Sequence, residues 1–314
     1  MADGRTNSID PSDIARDDWV ERRLPAGAQP YARLARLDRP IGTWLLLLPC
    51  WWGLGFAIAA GGVEPAPIHL WYAVLFAVGA LVMRGAGCTW NDIVDRDIDG
   101  KVARTATRPI PSGAVSTKQA LAFLVALCLI GLGVLVQFNM TAIWVGIAAL
   151  ALVCCYPFMK RITYFPQAWL GLTFNWGVNV AWTAVTGELH PLQLVLYAAG
   201  FFWTMGYDTI YAHQDKEDDA LIGVKSTALK FGDGTRPWIA GFYLALVGLL
   251  IAAALLGGLG WGVWPFLALA FAHLAWQVKT VDFDDVKNCL KHFRGNRDFG
   301  LLVAAAMAAG AVTA

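Results

Sequence analysis

The sequence predicts an all-α, polytopic membrane protein, and three observations carry that prediction. Of its 314 residues 57% are hydrophobic and only 15% charged, with a mean hydropathy of +0.52; a soluble domain of this length carries more charge than that. Nine mostly apolar runs follow one another along the chain, each of roughly 17 to 22 residues, enough to cross a bilayer as a helix. All 24 Lys and Arg lie before these runs, at their ends, or in alternate connections between them, the one-sided placement that orients membrane helices.

Taken in order, residues 1–35 are polar and mix Arg with Asp, and read as a disordered cytoplasmic segment. No apolar stretch precedes a small-residue cleavage site there, so no signal peptide is expected. Residues 36–314 read as one transmembrane domain, with apolar runs near 40–60, 69–90, 118–137, 140–158, 166–186, 192–211, 237–257, 263–281 and 298–313. The intervening segments 61–69, 137–141, 187–192 and 258–262 are short, and their only acids are Glu64 and Glu188. Under the positive-inside rule the N-terminus and every charged loop face the cytoplasm, and the C-terminus ends outside. Most of the 15 tryptophans lie near predicted helix ends, as interfacial belts do. The six cysteines show no CxxC or Cys/His spacing and read as reduced packing residues. Net charge is +1 and no basic domain is present, which argues against a nucleic-acid partner.

Against this apolar background the stretch Met83 to Gly113, MRGAGCTWNDIVDRDIDGKVARTATRPIPSG, is dense in charge. Asn91, Asp92, Asp95 and Asp99 stand three or four apart, so on a helix they share one face and the acids repel one another unless a cation sits among them. Arg104 and Arg108 follow at the same spacing and offer donors suited to an anion. Carboxylates beside arginines at a membrane surface point to a Mg²⁺-bridged diphosphate, because Mg²⁺ is usually held by a few carboxylates together with substrate phosphate oxygens. A second acidic stretch, YDTIYAHQDKEDDALIGVKS from Tyr207 to Ser226, returns after four further apolar runs and so on the same face. There Asp208, Tyr211, Asp215 and Asp219 form a stripe at helical spacing continuing the sixth run. A merely solvated loop is the plainer explanation of one charge run, but ionisable groups at matching membrane depth in two places argue for function.

Other candidates carry two readings each. Arg84, seven residues before Asn91, either snorkels to the interface or clamps a substrate carboxylate with its guanidinium fork. Tyr156 and Lys160, one turn apart at the end of the fourth run, are either an interface pair or phosphate contacts. His213 reads as a passenger in its cluster, and Asp282, Asp284 and Asp285 as part of a solvated or lid-like basic loop.

These residues resemble the UbiA superfamily of membrane prenyltransferases, and within it the branch acting on 4-hydroxybenzoate. The resemblance covers most of the chain from about Arg36. Asn91-Asp92-x-x-Asp95-x-x-x-Asp99 is similar to the family's NDxxDxxxD motif and Asp215-x-x-x-Asp219 to its DxxxD. RLDRPIGT at Arg36, RTATRPIPSG at Arg104, YPFMK at Tyr156 and YDTIYAHQDKEDD at Tyr207 resemble family blocks in the expected order. The resemblance implies nine transmembrane helices around a central cavity, capped on the cytoplasmic side of a bacterial or mitochondrial inner membrane. It implies Mg²⁺ held by Asn91, Asp92, Asp95, Asp99, Asp215 and Asp219, with Asp95, Asp99, Asp215 and Asp219 as the catalytic carboxylates. Arg36, Asn91, Arg104, Arg108, Tyr156, Lys160 and Asp208 would contact substrate, and Arg84 the aromatic carboxylate. The implied reaction moves a polyprenyl group from polyprenyl diphosphate to the ring carbon ortho to the hydroxyl of 4-hydroxybenzoate, an early step of ubiquinone biosynthesis.

Two rivals fit less well. Part of a CDP-alcohol phosphotransferase signature is imitated from Asp99 to Gly113, but Arg96, Thr117 and Leu121 stand where that signature needs Asp. A secondary transporter places coupling carboxylates near the bilayer midplane, whereas these lie at helix ends. Homogentisate, dihydroxynaphthoate and haem remain as alternative acceptors within the resembled family.

Overall fold

The computed structural model describes residues 18–101 and 105–314, with the backbone alone of 218 and 222. Among them every regular element is helical. In chain order these are α1 (Trp19–Arg23), α2 (Gln29–Leu34), α3 (Ile41–Ala60), α4 (Pro67–Asp99), α5 (Thr117–Leu135), α6 (Met140–Ile162), α7 (Pro166–Phe174), α8 (Gly177–Thr186), α9 (Pro191–Ala212), α10 (Lys216–Ile222), α11 (Thr227–Phe231), α12 (Thr235–Leu256), α13 (Val263–Thr280) and α14 (Val286–Val312). Short 3₁₀ turns at His213–Asp215 and Gly232–Gly234 interrupt the second half. Five helical stretches among the described residues are long and apolar enough to cross a membrane: α3, α4, α5, α6 and Thr227–Leu256.

The chain divides into two compact units, one drawn from residues up to Pro40 together with Arg84–Cys128, the other from Ile41–Met83 and Leu129–Ala314. The boundary falls inside α4, which gives its second half, with the first acidic motif, to the smaller unit.

In the smaller unit the core is Leu34, Ile93, Val115 and Ala120, with Tyr31 edge-on to Phe123 at 5.3 Å. Residues 18–34 lie in the stretch expected to be disordered, and instead they form α1 and α2. Asp18 caps α1 by accepting from the Glu21 amide at 3.0 Å. Val20 and Leu34 are fully buried, and Arg33 pairs with Glu21 at 2.5 Å. Polar composition concealed these anchors, because two buried apolar side chains and one ion pair suffice to tie down so short a segment. Residues 1–17 lie outside the described residues.

In the larger unit Trp52 of α3, Trp203 of α9 and Phe299 of α14 make an aromatic centre, with Trp52 and Trp203 centroids 4.7 Å apart. Both indoles are satisfied, Trp52 donating to the Gly300 carbonyl and Trp203 to Asn296 Oδ1, each at 2.8 Å. These two tryptophans are therefore core residues rather than belt residues. Gly53 lets α3 approach α8 closely, since a Cβ there would stand 2.7 Å from the Val178 carbonyl oxygen.

The fifth apolar run is not one helix but two, α7 and α8, broken at Asn175 and Trp176. Asn175 causes and repairs the break: its Nδ2 donates to the Gly171 carbonyl, the acceptor its backbone would have used, and to Thr204 Oγ1, both at 2.8 Å. The basic stretch expected as a lid-like loop is largely the beginning of α14, capped by Asp285, whose Oδ1 accepts from Lys287 at 2.8 Å and Asn288 at 3.2 Å. All six cysteines are free thiols.

Candidate active site

The first acidic motif is helical throughout, because α4 continues past the apolar run to Asp99. Asp92, Asp95 and Asp99 share its buried face, at 0%, 0% and 5% exposure, while Arg96 and Asp97 point to solvent and pair with each other at 3.5 Å. Burying a carboxylate costs several kcal/mol unless it is paired, and two arginines supply the pairing for Asp92 and Asp99. Arg36 donates to Asp92 Oδ1 at 2.7 Å; Arg108 donates to Asp99 Oδ2 at 2.9 Å and reaches Asp92 Oδ1 at 3.5 Å. Asn91 Nδ2 donates to Asp95 Oδ2 at 3.0 Å, and Thr105 Oγ1 to the Asp99 carbonyl at 2.8 Å.

Arg36 reaches Asp92 by way of an unusual turn. Its φ of 55° makes it the only non-glycine residue with positive φ among those described. It occupies the position after the C-cap of α2, with Arg36 N–H donating to the Arg33 carbonyl and Leu37 N–H to the Ala32 carbonyl, both at 3.0 Å. That double bond pattern normally recruits glycine, and a side chain there costs roughly 1 to 2 kcal/mol. The guanidinium bond to a buried carboxylate, with a second bond to the Arg33 carbonyl at 2.9 Å, offsets the cost. Arg108 is set by a wound segment in which its own amide donates to Thr105 and Ser112 donates to its carbonyl, each at 3.0 Å. Arg84 lies half-buried on α4, about 10 Å along the helix from Asn91. Arg104 lies outside the described residues.

The second acidic stretch is built differently. The expected stripe from Asp208 to Asp219 is not continuous, because α9 ends at Ala212, a 3₁₀ turn holds His213–Asp215, and α10 begins at Lys216. The tighter turn shifts the helical phase, so Asp208 and Asp219 do not lie on one helical face. Asp208, Asp215 and Asp219 are half-buried. Tyr156 and Lys160, also half-buried, occupy the last two turns of α6. His213 is a packing residue, its Nε2 3.0 Å from Thr235 Oγ1 and its ring against Phe283 at 4.7 Å. Burial, reinforced by Lys216 and opposed by Asp284, pushes its pKa down to about 4.

No three acidic, His or Cys side chains among the described residues form a closed metal cage. Mg²⁺ does not require one, since it keeps waters and substrate oxygens in its shell and takes one or two carboxylates. The donors fit that pattern: all are hard oxygens, and Asp92 Oδ2 is buried with no hydrogen-bond partner among the described residues. Sequence reasoning missed Arg33, Glu21 and Thr105 as supports of this cradle; only the TxxR spacing of Thr105 and Arg108 hinted at a compact turn.

Comparison with known proteins identifies the family. Residues 46–307 match the UbiA prenyltransferase family. The chain is 48% identical over 286 residues to a mitochondrial 4-hydroxybenzoate polyprenyltransferase of Arabidopsis thaliana, an alignment covering 91% of this chain and 69% of the relative. Its fold is similar to the apo structure of a UbiA homolog from Aeropyrum pernix K1, with a TM-score of 0.70 and 26% identity over 86% of this chain and 96% of that one. It is also similar to a UbiA homolog from Archaeoglobus fulgidus bound to GPP and Mg²⁺, with a TM-score of 0.68 and 20% identity over 90% of this chain and 99% of that one.

Proposed function

The chain belongs to the UbiA prenyltransferase family, and from that premise we propose how its residues carry out the transfer. We infer that it moves a polyprenyl group from polyprenyl diphosphate to the ring of 4-hydroxybenzoate and releases diphosphate. The observation that carries the residue-level reading is Asp92, buried between Arg36 and Arg108, whose Oδ2 has no hydrogen-bond partner among the described residues. That is a carboxylate paired and aimed by two guanidinium groups, with an oxygen turned away from them that suits a cation.

Both acidic segments are assigned to Mg²⁺–diphosphate binding: Asn91, Asp92, Asp95 and Asp99 in the first, Asp215 and Asp219 in the second. When bound, Mg²⁺ supplies positive charge to the departing diphosphate. Arg36 and Arg108 keep the first set of carboxylates oriented before substrate arrives, so little reorganisation is needed during reaction. Arg104, Arg108, Tyr156 and Lys160 are assigned to phosphate oxygens, Asp208 to support of that site, and Arg84 to the benzoate carboxylate. The apolar helices exclude water, which protects an allylic cation from quenching until the ring carbon ortho to the hydroxyl attacks it.

Nine membrane spans and a cytoplasmic site in an inner membrane complete the proposal, supported by the one-sided placement of all 24 Lys and Arg. In a cysteine-free background, a cysteine at Gly61 should react with impermeant thiol reagents in intact cells and one at Gly100 should not. The acceptor is tested by incubating membranes with Mg²⁺, a polyprenyl diphosphate and a panel of aromatic acids. Prenylated 4-hydroxybenzoate should dominate by mass; preferential prenylation of homogentisate or dihydroxynaphthoate would reassign the acceptor.

A further inference from the structure

The C-terminal end of the second acidic stretch is fixed to the helix that carries Tyr156 and Lys160, and one residue makes the join. α10 ends in a left-handed turn at Gly223, φ 72°, where the Gly223 and Val224 amides both donate to the Asp219 carbonyl. The next residue is Lys225. Its backbone N–H donates to the Lys160 carbonyl at 2.9 Å and its ammonium donates to the Ile162 carbonyl at 3.1 Å. The last carbonyls of a helix have no acceptor role within it; here Met159 is satisfied by Thr163, and Lys160 and Ile162 by Lys225. The ammonium also complements the negative end of the α6 dipole and lies 5.5 Å from the Tyr164 ring centroid. Immediately downstream the Thr227 amide donates to Gln167 Oε1 at 3.2 Å, and the Thr227 hydroxyl lies 2.7 Å from that of Thr209.

We propose that Lys225 is a positioning residue that splints the Asp215–Asp219 segment to the last turn of α6, so that Asp219 and Lys160 meet a diphosphate as one rigid pair. Between Asp219 and Lys160 the path is short: the Asp219 carbonyl accepts from the Gly223–Val224 turn, the adjoining Lys225 amide donates to the Lys160 carbonyl, and the Lys225 ammonium on the Ile162 carbonyl holds that backbone contact in place. A displacement of about 1 Å at a binding group costs as much as 100-fold, so what fixes this segment against α6 bears on binding. The inference rests on the reading of Asp215, Asp219 and Lys160 as diphosphate-binding, so its test measures that reading alongside.

The experiment uses purified full-length protein with Mg²⁺, comparing wild type, Lys225→Met, Lys225→Arg and Asp215→Asn. Both substrates are titrated separately, and the thermal shift caused by inorganic pyrophosphate with Mg²⁺ is recorded. Lys225→Met should raise the polyprenyl diphosphate KM roughly 10-fold or more, abolish most of the pyrophosphate shift and leave the 4-hydroxybenzoate KM unchanged. Lys225→Arg, which restores a cationic donor, should recover both readouts. An unchanged diphosphate KM in Lys225→Met, or equal rises in both KM values with a fallen melting temperature, would overturn the splint. If Asp215→Asn loses the pyrophosphate shift while Lys225→Met keeps it, the splint fails and the diphosphate assignment stands; if both keep it, the two fail together.

Discussion

The two acidic segments look alike in sequence and differ in construction. Asp92, Asp95 and Asp99 sit on one uninterrupted helix, buried to 5% exposure or less, with Arg36 and Arg108 already in place on Asp92 and Asp99. Asp215 and Asp219 are half-buried on a 3₁₀ turn and a short helix. The difference teaches what burial demands. A carboxylate removed from water must bring its counter-charge within the fold, whereas a half-exposed one keeps part of its hydration and depends less on such a partner. The first segment is thus built into the fold's stability, and under the proposed assignment the second contributes to binding more than to stability.

Alanine at the two places should therefore separate the roles most sharply. Asp92→Ala strands Arg36 in a buried site and should cost about 3 to 5 kcal/mol of stability as well as activity. Asp215→Ala should remove most turnover and leave the melting temperature in detergent close to wild type. Equal melting-temperature losses in the two variants would erase the distinction.

Arg84, at the start of the first segment, extends the comparison to the acceptor. If its guanidinium pairs with the benzoate carboxylate, Arg84→Ala should raise the 4-hydroxybenzoate KM by the equivalent of about 2 to 5 kcal/mol while the diphosphate KM changes little. Arg108→Ala should show the opposite ranking, and a variant that merely misfolds raises both. A rise confined to the diphosphate in Arg84→Ala would remove the carboxylate assignment.

The smallest effect concerns the turn at Arg36. Arg36→Ala and Arg36→Gly both lose the bond to Asp92, but glycine tolerates φ 55° and alanine does not. Arg36→Gly should be the more stable of the two by roughly 1 kcal/mol in chemical denaturation. Equal stability would show that the turn relaxes once the guanidinium is gone.

Much of this was legible in the sequence where spacing is local. The helical period of Asn91, Asp92, Asp95 and Asp99 placed them on one face, and α4 puts the three acids on one buried face. The same period misled at Asp208 to Asp219, because a 3₁₀ turn at His213–Asp215 has no signature in a charged, Gly-free stretch. Arg36 read as a substrate contact; its bond to Asp92 spans 56 residues and depends on a left-handed turn that sequence favours only for glycine. Composition marked residues 18–34 as disordered because the buried Val20 and Leu34 are too few to shift an average. Lys225 passed as one more cytoplasmic base, since nothing local reveals that it ends another helix.

The most direct measurement titrates Mg²⁺ into chelator-treated purified protein supplied with a polyprenyl diphosphate and 4-hydroxybenzoate, following product by mass. Carboxylates that work through the metal require that no product forms until Mg²⁺ is restored, and that Asp215→Asn needs more Mg²⁺ than wild type or never responds. Undiminished prenylation in thoroughly chelated protein would contradict the assignment of both acidic segments.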